Sequence, residues 1–76
     1  MTANEMLEIA KKETENLNSN EKFIVRDLFK GYLWNREEIS KRLTLGTLFL
    51  SFVNENPDMI EKLDKNSSNQ QEYKRK

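Results

Sequence analysis

"NENPDMIEKLDKNSSNQQEYKRK", residues 54–76, decides between two folds. Asn56-Pro57 has the form of an N-cap followed by proline at the first helical position. Met59, Ile60 and Leu63 are spaced for a short helix after it. The same residues also divide into two β-prone runs, "MIEKLDK" and "QEYKR", joined by the turn-rich "NSSNQ". The helix makes the chain all-α; the hairpin adds a small sheet. Local signals favour the helix slightly.

Immediately upstream lies the most apolar stretch, "RLTLGTLFLSFV", residues 42–53. At about 100° per residue, Ile39, Leu43, Gly46, Leu50 and Val53 share one helical face. Leu45, Phe49 and Phe52 extend that face, and Leu48 lies at its rim. The reading predicts one helix over 39–53, capped by Asn35 or Ser40, with this face buried. Ser40, Thr44, Thr47, Ser51 and Asn54 remain outside, all polar and none charged. Gly46 in mid-helix costs about 1 kcal/mol relative to Ala. Close packing of another helix, through Leu28, Phe29 or Trp34, accounts for keeping it. Arg42 falls inside the apolar arc, where a charge must pair or reach water. It is read as an ion-pair residue, with Asp27 or Glu38 as partner.

Toward the N-terminus, Thr2 and Glu5 form a capping-box pattern. Met6, Leu7, Ala10 and Leu17 then recur at helical spacing, which predicts a helix over 3–17. "NSN" at 18–20 ends it. "KFIV", 22–25, reads as one strand. In "RDLFKG" that follows, Asp27 is expected to cap a short helix carrying Leu28 and Phe29, with Gly31 closing it in the left-handed conformation. "YLW", 32–34, is read as core, because a small domain needs large rings.

The totals restrict function. Seventy-six residues form a single domain, and a chain of this size buries only roughly 60% of its unfolded surface. Without cysteine or histidine, the chain has neither a disulfide framework nor the usual general base and metal ligand. It shows no glycine-rich phosphate loop and no carboxylate set at metal-ligand spacing. Asp58, Glu61 and Asp64 recur every third residue as an exposed edge. The expectation is therefore a non-enzyme, with no catalytic residue, metal or cofactor. No segment reaches the ~20 apolar residues that span a bilayer, and the N-terminus is not a secretory signal. A cytoplasmic protein without membrane contact is expected. Thirteen basic and thirteen acidic side chains cancel, whereas proteins that bind through phosphate neutralisation are usually basic. The bases are concentrated in 21–54 and in Lys74, Arg75 and Lys76.

"FIVRDLF", then Trp34, then "RLTLGTLF" and Val53, then "LDKNSSN" and Tyr73-Lys74, resembles a family of short uncharacterised domains from Gram-positive bacteria and their mobile elements. The matching positions are Phe23, Asp27, Leu28, Phe29, Trp34, Arg42, Leu45, Gly46, Phe49, Val53 and Tyr73, over about residues 22–75. One departure stands out: the basic residue that follows "LG" in the pattern is Thr47 here. The resemblance implies a mainly α fold with a small β hairpin, of winged-helix or helix-turn-helix type: helix, short strand, helix, helix, two-stranded wing. It decides the C-terminal stretch in favour of the hairpin, against the local capping signal. The implied divisions are an N-terminal helix and turn over 1–20, a helix-turn-helix-like core over 21–54, a wing over 55–73 and a basic tail over 74–76.

Two functions then compete. One is a DNA-binding or transcription-associated module, contacting duplex DNA through Lys41, Thr44, Thr47, Ser51, Lys74, Arg75 and Lys76. Hydroxyl side chains reach little and discriminate bases weakly. The other is a protein-interaction module on the same fold, using that neutral stripe or the acidic first helix (Glu5, Glu8, Glu13, Glu15).

Overall fold

The computed structural model describes residues 1–76. Three helices lie against a three-stranded antiparallel sheet. Helix α1 spans Ala3–Thr14, strand β1 Lys22–Phe23, helix α2 Gly31–Arg36, helix α3 Ile39–Glu55, strand β2 Ile60–Lys65 and strand β3 Gln71–Arg75. A 3-10 turn, Val25–Leu28, links β1 to α2. The sheet order is β1-β3-β2, so the last strand is central.

The capping box expected from Thr2 and Glu5 is present. Thr2 Oγ1 accepts the Glu5 N–H at 3.1 Å, and the Glu5 carboxylate accepts the Thr2 N–H at 2.8 Å. Those bonds favour the ionised carboxyl and hold the Glu5 pKa below its ordinary value. The helix stops at Thr14, earlier than the spacing suggested. There the Thr14 hydroxyl turns back onto the Lys11 carbonyl at 2.6 Å, and Asn20 takes a positive φ of 73° in the following turn.

The C-terminal stretch is a hairpin. Glu61 faces Lys74 and Lys62 faces Tyr73 across β2 and β3, with an irregularity in register between Lys62 and Lys65. Asn56 and Pro57 stop a helix instead of starting one. The Asn56 side-chain amide donates to the Phe52 carbonyl at 2.8 Å, closing α3. The Asn56 carbonyl then accepts from Met59 and Ile60 and turns the chain into β2. Asn66 ties the hairpin tip: its side-chain oxygen accepts from the N–H groups of Ser68 and Gln70.

The core gathers Ala10 of α1, Phe23 of β1, Leu28, Phe49 and Val53 of α3, Ile60 of β2 and Tyr73 of β3. Its centre is aromatic: the Phe49 ring lies edge-on to Tyr73 at 5.2 Å and to Phe23 at 6.2 Å, the arrangement ring quadrupoles favour. Met6 and Leu45 are fully buried beside it.

Five expectations for the middle of the chain are corrected. "KFIV" is a strand only through Phe23, and the short helix after it is the 3-10 turn. Asp27 does not cap that turn from its start; it reaches back to accept the Ile24 N–H at 3.0 Å. Gly31 is not left-handed but begins α2. "YLW" is not core: α2 has no buried residue, and Tyr32 is 53% exposed with the Arg36 guanidinium 5.0 Å from its ring centre. Large rings are better sheltered on strands and on α3, where two layers meet. The six-residue α2 lies at the margin and contributes no residue to the core.

Candidate functional site

Helix α3 buries the line Leu45, Phe49 and Val53. This axis is rotated by roughly a quarter turn from the face centred on Ile39, Leu43 and Leu50. Ile39 and Leu43 are instead 70% and 69% exposed, which corrects their expected burial. Apolar residues occupy more than half of the helix circumference, and the packed elements cover only the part centred on Phe49. Ser40, Thr44, Thr47, Ser51 and Asn54 are exposed as expected.

Next to this uncovered apolar margin runs an open groove of about 470 Å³ between α3 and the hairpin. Leu43, Gly46 and Leu50 form its α3 side, and Trp34 contributes from α2. Lys65 and Asn69–Gln71 line the hairpin side, and Ile24–Arg26 the far end. Two local features open it. Strand β1 ends at Phe23, so the chain leaves the sheet beside the upper half of β3. Gly46 has no side chain, and a Cβ placed there meets nothing within 4 Å. The expected helix packed over Gly46 is therefore absent; the glycine borders open space.

Arg42 stands at the junction of groove and core. Its guanidinium carbon lies 5.5 Å from the Trp34 ring centre, and the Phe29 ring also lies 5.5 Å from that ring between centroids. One terminal nitrogen donates to the Asn35 carbonyl at 3.3 Å, while buried Nε has no partner. The expected ion pair with Asp27 or Glu38 does not form. An aromatic face supplies the favourable environment that a carboxylate was expected to supply. Tyr73 also lines the groove. The residue is only 2% exposed, and burial alone pushes its phenol pKa up.

The residues proposed for nucleic-acid contact fall into two separate groups. Lys41, Thr44, Thr47 and Ser51 share the outer part of α3. Lys41 is paired with Glu37 at 3.6 Å, and the Thr44 and Thr47 hydroxyls donate to the Ser40 and Leu43 carbonyls of their own helix. Lys74, Arg75 and Lys76 lie at the opposite end of the hairpin from its tip. Lys74 and Arg75 belong to β3 and do not form a tail. Lys74 pairs with Glu61 at 3.7 Å. The Arg75 guanidinium donates to the carbonyls of Thr14, Met59 and Lys76, and the Lys76 ammonium donates to the Pro57 carbonyl at 2.6 Å. Arg75 thus closes the C-terminal end of α1, where a positive charge is favoured.

A family model described as "Domain of unknown function (DUF1413)" matches residues 8–75. The chain belongs to the DUF1413 family. The match begins inside α1, so the DUF1413 unit includes most of the first helix as well as the part from Phe23 onward that carried the sequence resemblance. No curated protein and no solved structure matches the chain. In this DUF1413 domain the groove is assembled from α2, α3, the 3-10 turn and the hairpin together. Trp34, Arg26, Lys65 and Tyr73 were not singled out as site residues from sequence, although Trp34 and Tyr73, like Arg42 and Gly46, are among the positions that carried the resemblance.

Proposed function

We propose that this domain is a non-enzymatic binding module of winged-helix-like build that engages another protein through the α3–hairpin face. The order of elements supports the winged-helix part: helix, strand, helix, helix and a two-stranded hairpin, with β3 central between β1 and β2. The exposure of Ile39 and Leu43 carries the choice of partner. Two large aliphatic side chains one helical turn apart, each more than two-thirds in water, border a groove holding Trp34 and Leu50. A contiguous apolar margin with a polar rim is the surface chemistry of protein recognition.

Duplex DNA along the same face is the second reading. It is favoured by the position of the hairpin beside α3, where Lys65, Asn69 and Gln70 accompany Arg26. It is weakened by the state of the other candidate contacts: Lys41 is neutralised by Glu37, and Arg75 is occupied by three carbonyls of its own chain.

Photo-cross-linking tests the proposal. A photoreactive amino acid at Leu43, in the host cell, is expected to give discrete protein adducts that survive nuclease treatment. The same group at exposed Lys12 of α1 gives none. Absence of Leu43 adducts, together with low-salt binding to random duplex DNA that weakens steeply as salt rises, overturns the protein reading in favour of DNA.

A further inference from the structure

Charge around the groove is segregated. Arg26, Arg42 and Lys65 line it, and no aspartate or glutamate does. The ion pairs of the chain are made elsewhere, by Lys11, Lys41, Lys74 and the α-amino group, so none of the three groove cations has a carboxylate partner. In a chain with thirteen acids and thirteen bases, a depression with three unpaired cations is a distinct positive site. A cleft with low-dielectric walls focuses such a field. One of these cations has a polar atom without a partner: Arg42 Nε is buried and unbonded. Between these groups lie apolar contacts, Leu43, Leu50 and Trp34.

We propose that the groove receives an acidic peptide segment of a partner protein. An apolar side chain of that segment packs against Leu43, Leu50 and Trp34, and flanking carboxylates meet Arg26, Arg42 and Lys65. This rests on the protein-binding reading above and adds the chemistry of the partner. A second copy of the chain fits poorly. Its acidic helix α1 carries Glu8 and Glu13 outward but buries Met6 and Ala10 in its own core, so it offers carboxylates without an apolar anchor. A phosphate backbone matches the cations and leaves the apolar contacts without a counterpart.

Selection of random dodecapeptides displayed on phage against the folded domain provides the test. Enriched peptides are expected to hold Asp or Glu on both sides of a large apolar residue. A synthetic peptide from the selection shifts backbone amide resonances of residues 42–50 and 65–71. Lys65→Glu weakens its binding by about tenfold or more, Lys12→Glu leaves it unchanged, and a peptide with its acids replaced by lysine recovers affinity for the Lys65→Glu variant. Enrichment of basic or uncharged peptides, no enrichment, shifts confined to other residues, or self-association abolished by Lys65→Glu each overturn the proposal. Protein adducts at Leu43 combined with non-acidic peptides remove the acidic occupant and leave the protein-binding reading intact. DNA binding without such adducts removes both.

Discussion

The Arg42 guanidinium lies over the Trp34 ring, 5.5 Å from its centre, a cation–π contact that links α2 to α3 without a carboxylate. The contact lies at the groove wall, partly desolvated, where a cation–π pair contributes about 1 kcal/mol or somewhat more. Arg42→Ala is expected to lower stability to urea by that amount and to shift the fluorescence of Trp34, the sole tryptophan, toward longer wavelength. Arg42→Lys restores less than half of the loss, because an ammonium lacks the flat face that stacks.

At Gly46 a side chain meets no neighbour within 4 Å. Gly46→Ala is therefore expected to stabilise the domain by about 1 kcal/mol, the difference in helix propensity. A loss of stability on thermal unfolding of this variant would indicate a close contact that the structure does not contain.

Arg75 joins three distant points of the chain through carbonyls of Thr14, Met59 and Lys76. Hydrogen bonds to a charged donor each contribute roughly 1.5–3 kcal/mol, although the three share one partly exposed group. Arg75→Ala is expected to cost about 2–3 kcal/mol in denaturant titration and to speed amide exchange at the end of α1.

Exposed and buried apolar residues of one helix are predicted to respond oppositely. Leu43→Ser should change stability by less than about 0.5 kcal/mol, as surface substitutions do. Phe49→Ala, at the fully buried centre of the aromatic cluster, should cost about 3–5 kcal/mol, measurable as a large fall in melting temperature.

Tyr73 should make the stability of the domain fall at alkaline pH. Burial raises its pKa above the ordinary phenol value. The unfolded chain therefore gives up this proton first, and stability is full below the ordinary value and declines as pH rises through the folded one. Tyr73→Phe is expected to flatten this alkaline decline in a stability–pH profile, even if its starting stability differs.

Much of the fold is legible locally. The α1 capping box, the turn at 18–20 and the span of α3 follow from short-range patterns, since a cap or a helical repeat is completed within a few residues. The resemblance supplied the hairpin, which the local signal at Asn56-Pro57 argued against. That dipeptide looks alike whether it begins a helix or ends one. In this chain α3 precedes it, and pairing of β2 with β3 uses the residues after it.

Sequence alone thus determined where α1 begins, that α3 coils as one helix, and that the chain holds no cysteine or histidine. Tertiary structure alone decided which side of α3 is dry, that Arg42 rests on a ring, and that Arg75 serves α1. Periodicity reports how wide an apolar arc is; only the neighbouring elements determine which part of it they cover. On this short chain they cover the arc around Phe49 and leave Ile39 and Leu43 in water, beside the groove.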